Sequence, residues 1–281
     1  FDAFTRGSCL EVTKIIQISD PHIVPDGQLA YGKVNTKEAL ISCVETINRI
    51  IPEIGPVDMV IVTGDLTDFG TCEEYEIFRD IMADLLIPYQ AIPGNHDNVT
   101  EMRKSFSDQH WMPKSGPINW TVNFDQMAII GLDTNVNGKP YGQLAETTLD
   151  YLKEKLKNLN QKPVIVAVHH PPIFTGIKKM DDNNLRESKR LKTLLSGYQG
   201  ELKLVCGHLH RNISKKFGDV ICQIAPGTSH AVSLDFRNNV PNCLIKEPSA
   251  FLIHEIRSGI LTHNIFIGQF DGPHMFYPET G

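Results

Sequence analysis

Five short apolar runs in this chain each end in residue types that bind metals, and no other feature limits the fold as strongly. Ile15-Ile16-Gln17-Ile18-Ser19 leads into Asp20-Pro21-His22, and Met59-Val60-Ile61-Val62-Thr63 into Gly64-Asp65-Leu66-Thr67-Asp68. Tyr89-Gln90-Ala91-Ile92-Pro93 closes on Gly94-Asn95-His96-Asp97, Val164–Val168 on His169-His170, and Leu202–Cys206 on Gly207-His208-Leu209-His210. Short apolar runs bounded by turn residues read as buried strands. When such strands all end in ligand types, their ends build one site at one edge of a sheet. Singly, each motif is ordinary turn chemistry; the repetition at every strand end is what carries information.

Helical patterns alternate with these strands. Asn35 followed by Glu38, and Thr71 followed by Glu74, have the spacing of capping boxes. Behind the first, Leu40, Val44, Ile47 and Ile51 share a face; behind the second, Tyr75, Phe78, Met82 and Leu85 do; Leu149, Leu152, Leu156 and Leu159 mark a third helix. Near-continuous apolar strands between helices suit a sheet covered on both faces. Farther along, Val220–Ala225 reads as a strand, and Ala250–Ile256, Arg257-Ser258-Gly259 and Ile260–Ile267 as a β-hairpin. The expected fold is therefore α/β, or α+β: a β-sandwich of two mixed sheets flanked by helices, with the site at the C-terminal ends of the strands. One domain over 1–281 is expected, with the hairpin region at about 230–281. The polar, turn-rich segment from Pro171-Pro172 to Asn183-Asn184 is expected to be a loop at the rim of the site.

Composition excludes several function classes. A chain of 281 residues with 41% hydrophobic and 21% charged residues is neither disordered nor collagen-like. A formal charge of −6 argues against a general nucleic-acid or anionic-membrane surface. No apolar stretch is long enough to span a bilayer. Phe1–Arg6 lacks the apolar core of a signal peptide, although a start at Phe1 rather than Met leaves room for a removed leader. Cys9, Cys43, Cys72, Cys206, Cys222 and Cys243 form no CxxC pair and read as small buried residues of a reducing cytoplasm.

The candidate ligands select the metal. His22, His169, His208 and His210, with Asp20, Asp65 and the Asn95 amide, suit Mn, Fe, Zn or Co better than Ca or Mg. The absence of cysteine from the motifs disfavours a closed structural zinc site. Seven ligands are too many for one ion and suit two ions that share a carboxylate. Gly64, Gly94 and Gly207 leave room where a side chain would crowd the ions.

Together, Asp20-x-His22, Gly64-Asp65-x-x-Asp68, Gly94-Asn95-His96-Asp97, His169-His170-Pro171-Pro172 and Gly207-His208-x-His210 resemble the calcineurin-like metallophosphoesterase superfamily. The resemblance runs from about residue 13 to about residue 230 and is greatest to the class III cyclic nucleotide phosphodiesterase and glycerophosphodiesterase branch. It implies one ion on Asp20, His22 and His210, a second on Asn95, His169 and His208, and Asp65 between them. It also implies His96 as the catalytic histidine that is not a ligand and Asp68 as the carboxylate that orients it. His170 is expected behind the ligands or facing substrate, and His230 at the substrate.

Two divalent ions with two ligand carboxylates and one hydroxide leave a centre of about +1, which favours a phosphodiester monoanion. The expected reaction is in-line attack on a small phosphodiester, cyclic nucleotide or glycerophosphodiester, by a hydroxide shared between the ions. The alternatives are a phosphonate monoester hydrolase or broad phosphomonoesterase of the same superfamily, or, outside enzymes, a metal-dependent interaction scaffold. A protein phosphatase would carry Gly-Asn-His-Glu and an arginine beside Gly-Asp, where this chain has Asp97 and Leu66-Thr67-Asp68-Phe69. A nucleic-acid polymer is not expected as partner, nor a membrane; a homodimer or larger homo-oligomer is among the expected states, and the cytoplasm is the expected compartment.

Overall fold

The computed structural model describes residues 12–277; Phe1–Arg6 and Cys9, read above from sequence, lie outside them. Ile15, Ile16 and Ile18 have no solvent exposure, and burying each such side chain stabilises the fold by about 1.5–3 kcal/mol. They belong to β1 (Thr13–Ile18), which is followed by α1 (Thr36–Ile54), β2 (Met59–Val62), α2 (Cys72–Met82), β3 (Tyr89–Ala91) and α3 (Val99–Ser105). Then come β4 (Trp120–Asn123), β5 (Ala128–Gly131), α4 (Glu146–Asn158), β6 (Val164–Ala167), α5 (Lys178–Asp181) and α6 (Lys189–Ser196). The chain continues through β7 (Leu202–Cys206), β8 (Ile213–Phe217), β9 (Val220–Ile224), β10 (Ala231–Val232), β11 (Leu244–Ile245), β12 (Ala250–Ile256) and β13 (Ile260–Phe266).

The strands form two large mixed sheets, in the orders β13-β12-β1-β2-β3 and β4-β5-β6-β7-β9-β8, and a small β10-β11 pair. In the first sheet β1, β2 and β3 are parallel, and in the second β5, β6, β7 and β9 are. Ile165, Ala167 and Val205 face the first sheet across the core, while Val164, Val166 and Leu204 pack on the other side against Leu152 and Leu156 of α4 and Leu191 and Leu195 of α6. The two-residue period of a strand produces this division. It explains why β6 is apolar at every position, as a strand covered on both faces must be.

The helix starts follow the sequence signals. Thr71 and Glu74 cap α2 reciprocally. Asn35 caps α1 through Glu38 N–H at 3.1 Å, a simple N-cap. The C-terminal hairpin forms over the expected residues, with β12 antiparallel to β1 and β13 completing that edge of the first sheet. The segment after Pro171-Pro172 is more ordered than a polar loop. The Asp181 carboxylate accepts from Thr175 N and Gly176 N, both at 2.8 Å, and closes the segment around α5. Cys43, Cys206 and Cys222 are buried as expected; Cys72 and Cys243 are exposed.

A polar chain crosses the core. Lys203 Nζ donates to Thr262 Oγ1; His254 contacts Thr262 Oγ1 (2.9 Å) through Nδ1 and Gln17 Oε1 (3.1 Å) through Nε2. Gln17 Nε2 then donates to Cys206 O (2.9 Å) and Thr63 Oγ1 (3.0 Å), joining the two sheets. Burial, with Lys203 nearby, pushes the His254 imidazole down to about 3. The folded pKa lies below that of the unfolded chain, so this contribution to stability is present above about pH 6.5 and is lost as pH falls toward about 3. His254→Gln removes that dependence. Between pH 7.5 and 5.5 the stability gap between wild type and variant should narrow by about 1.4 kcal/mol, as read by urea unfolding at the two pH values. An unchanged gap would show that His254 accepts a proton in the fold.

Candidate metal centre

All the parallel strands that carry motifs point their C-terminal ends to one edge, and the loops that follow turn sharply there. Asp20, His22, Asp65, His208 and His210 all have φ between 48° and 74°, a region non-glycine residues seldom enter. Such backbone strain persists only where surroundings impose it, and it clusters at functional sites. Backbone bonds fix these turns: His22 N–H donates to Asp65 O (2.9 Å), Asp20 N–H to Gly64 O (3.1 Å), and His208 N–H to Asp20 Oδ1 (3.0 Å). At Gly64 and Gly94 a Cβ would lie 2.7 Å from His169 Cγ and from Asp65 Cγ, respectively. The glycines are there to let the segments approach.

The side chains converge. His22 Nε2 and His210 Nε2 stand 3.1 Å apart, with Asp65 Oδ2 3.5 Å from the former and Asp20 Oδ1 3.4 Å from the latter. On the other side, His169 Nε2 lies 3.3 Å from Asp65 Oδ2 and 3.1 Å from Asn95 Oδ1, while its Nδ1 donates to Thr63 O at 2.7 Å. Donor atoms of Asp20, His22 and His210 lie within 4.8 Å of one another, as do those of Asp20, Asp65 and His169, of His169, His170 and His208, and of His22, Asp65 and His96. His208 Nε2 is buried without a partner. Facing ring nitrogens, converging carboxylates and an orphaned imidazole nitrogen fit cations. Burial opposes a charge on His169, but Asp65 outweighs it and raises that imidazole to about 9. Asp65 itself, which burial alone would raise, is held well below the usual carboxylate range by His169 and His96.

The sequence-derived residues outside the ligand set divide. His96 is about one-third exposed and lines the cavity; its Nδ1 is 2.9 Å from the backbone carbonyl of Asp68 and 3.4 Å from that residue's carboxylate. The closest partner of the Asp68 carboxylate is instead His22 Nδ1, at 3.0 Å. Asp68 therefore holds His22 through its side chain and His96 chiefly through its backbone. His170 takes the place behind the ligands: it is fully buried, bonded through Nδ1 to Thr134 Oγ1 (2.8 Å) and absent from the cavity wall. His230 lines the cavity, its ring 4.5 Å from that of His210.

Three supports carry no signal of their own in sequence. Asp97 accepts from Gly94 N (2.8 Å), Leu66 N (3.2 Å) and Tyr75 OH (3.0 Å), tying two motif loops to α2. Asn135 Nδ2 donates to Gly94 O (2.5 Å) and Asp97 O (3.1 Å). Tyr31, at φ 54°, places its hydroxyl 3.3 Å from Asp68 Oδ1 and its ring 5.5 Å from that of His230. The sequence marked Asp97 only as part of a motif and singled out neither Asn135 nor Tyr31, because their partners lie on other elements.

The centre opens into a cavity of about 440 Å³ whose lining includes His22, Asp65, Asn95, His96, His208, His210 and His230. Fold and site together define the class: a two-sheet α/β protein with a buried histidine–aspartate centre suited to metal ions. Comparison gives the family. Residues 13–212 match the calcineurin-like phosphoesterase family, to which this chain belongs. It is 38% identical over 270 residues to the probable glycerophosphodiester phosphodiesterase GpdQ of Arcobacter nitrofigilis, covering 95% of this chain and 98% of that one. It is 30% identical to the 3',5'-cyclic adenosine monophosphate phosphodiesterase CpdA of Escherichia coli K12, over 71% of this chain and 70% of that one. The fold is shared with a dimetal phosphatase from Danio rerio (TM-score 0.60, 13% identity, 91% of this chain and 99% of that one). GAP50, described as the anchor in the inner membrane complex of Plasmodium, also shares it (TM-score 0.64, 14% identity, 92% and 90%). Among the described residues no helix is long and apolar enough to cross a membrane.

Proposed function

We propose that this protein is a phosphodiesterase that hydrolyses a small phosphodiester, with a glycerophosphodiester favoured over a cyclic nucleotide. The observation that carries this reading is a pair of donor groups meeting at Asp65 on the floor of one open cavity. The match to a relative named for glycerophosphodiesters spans 95% of the chain, against 71% to 78% for relatives named for cyclic AMP. Asp20, His22 and His210 would hold one cation and Asn95, His169 and His208 the other, with Asp65 shared; Mn, Fe, Zn and Co suit this donor set. Such ions supply Lewis acidity and a hydroxide nucleophile at neutral pH.

The chain's own residues do the rest. Asp68 fixes the far nitrogen of His22, and Thr63 O that of His169, so both rings present their other nitrogen to the centre. His96, held at Nδ1 by Asp68, stands at the cavity with Nε2 as the proton donor to the leaving alkoxide. His230 faces the bound ester, and His170 supports His169 and His208 from behind. All seven donors and His96 are present, which favours an enzyme over an interaction scaffold. The reading extends to one domain and to a cytoplasmic setting, to which the thiols of Cys43, Cys72, Cys206, Cys222 and Cys243 are suited.

The test is a screen of metal-reconstituted protein on bis(p-nitrophenyl) phosphate, glycerophosphocholine, cyclic AMP and a phosphonate monoester, with metal analysis alongside. Turnover of diesters that depends on two bound ions per chain is expected. Protein carrying two ions yet inert on every diester would overturn the proposal.

A further inference from the structure

Resting on that reading, the part of the cavity lining outside the metal donors indicates which alcohol the diester carries. Among the described residues, Tyr31, beside His230, and Pro140, Met180, Val232, Cys243 and Leu244 make this lining together with the amides of Asn183 and Asn242. Among the described residues no lysine, arginine or glutamate lines the cavity, and Asp65 is the one acid of its lining. Basic residues stand one cavity away. A neighbouring space of about 320 Å³ is lined by Lys178, Lys179 and Arg237, the last paired with Asp235 at 2.6 Å, and by Asp182; Asn242 with Cys243 forms the partition, since both line each space.

The segment that presents Asn183 is braced. Asp181 closes the segment that presents Asn183, through Thr175, Gly176 and Asn184. Leu244, two residues beyond Asn242, packs on Val24, Ala30 and Val34. Asn183 Nδ2 makes one bond, to Lys179 O at 3.2 Å. Asn242 Nδ2 meets only the Met180 sulfur, at 3.3 Å, a weak acceptor that leaves the amide free to serve a ligand. An alcohol bearing a second phosphate or carboxylate would bring a charge to a wall with no counter-ion, which is costly in a half-apolar pocket. A neutral alcohol rich in hydroxyls would find amide donors and acceptors.

We propose that Asn183 and Asn242 are specificity-determining residues that bind the hydroxyls of a neutral polyol ester group, glycerol in kind, and that the partition at Asn242 excludes esters with a second anionic group. The test uses the full, metal-reconstituted chain and the ratio of kcat/KM on glycerophosphocholine to that on bis(p-nitrophenyl) phosphate. Asn183→Leu and Asn242→Leu should each lower this ratio about tenfold, chiefly through KM. Asn242→Lys, which carries a cation through the partition, should raise kcat/KM on p-nitrophenyl phosphate relative to bis(p-nitrophenyl) phosphate by about tenfold. Thermal melts confirm that each variant is folded. Ratios unmoved in both leucine variants, or wild type active on bis(p-nitrophenyl) phosphate but not on glycerophosphocholine, would overturn this inference while leaving the phosphodiesterase reading in place. Wild type inert on all diesters with both ions bound overturns that reading instead.

Discussion

Asp65→Asn is expected to lower bound metal from two ions per chain to one or fewer and to cut diester hydrolysis at least about a thousandfold, or about 4 kcal/mol of transition-state stabilisation. Asp65 belongs both to the donor group with Asp20 and His169 and to that with His22 and His96. Its Oδ2 faces His22 and His169 at 3.5 and 3.3 Å, and its Oδ1 accepts the His96 N–H at 2.8 Å. An amide of the same shape supplies neither the negative charge nor a second oxygen. Metal analysis and hydrolysis of bis(p-nitrophenyl) phosphate read the two effects separately. A variant that keeps both ions and full activity would remove Asp65 from the centre.

His96→Ala should show the opposite pattern, with both ions retained and activity lost by about a hundredfold to ten-thousandfold. His96 lies near enough to His22 and Asp65 to be counted among the metal donors. Yet it is exposed to the cavity, and its Nδ1 is taken by Asp68. A proton donor matters most where the departing alkoxide is basic, so the loss should be steep for alkyl esters and shallow for p-nitrophenyl esters. Equal losses for the two, or loss of an ion, would assign His96 to holding metal.

The two variants probe residues that were legible in the chain for the same reason. A strand that ends in Asp-x-His or Gly-Asp brings its ligand to the sheet edge by local geometry alone, and the apolar run before it marks where that edge is. The helix caps at Asn35 and Thr71 and the turn at Arg257-Ser258-Gly259 are local in the same sense. Asp68 was legible as a functional residue, but the division of its contacts was not. Which imidazole its carboxylate takes depends on how the Asp20 and Asp65 loops pack, and the carboxylate is 3.0 Å from His22 but 3.4 Å from His96.

Alternation of apolar strands and amphipathic helices thus determined a layered α/β fold, and the residues at five strand ends determined a cluster of candidate metal donors at one edge. Both are written in residues next to one another along the chain. Tertiary structure alone decided that β12 lies beside β1, that Asp97 braces two loops at once, and that Asn183 and Asn242, 59 positions apart in the numbering, face one cavity. These depend on which surfaces meet when the two sheets close, and contacts between segments remote in sequence leave no periodic trace in either segment.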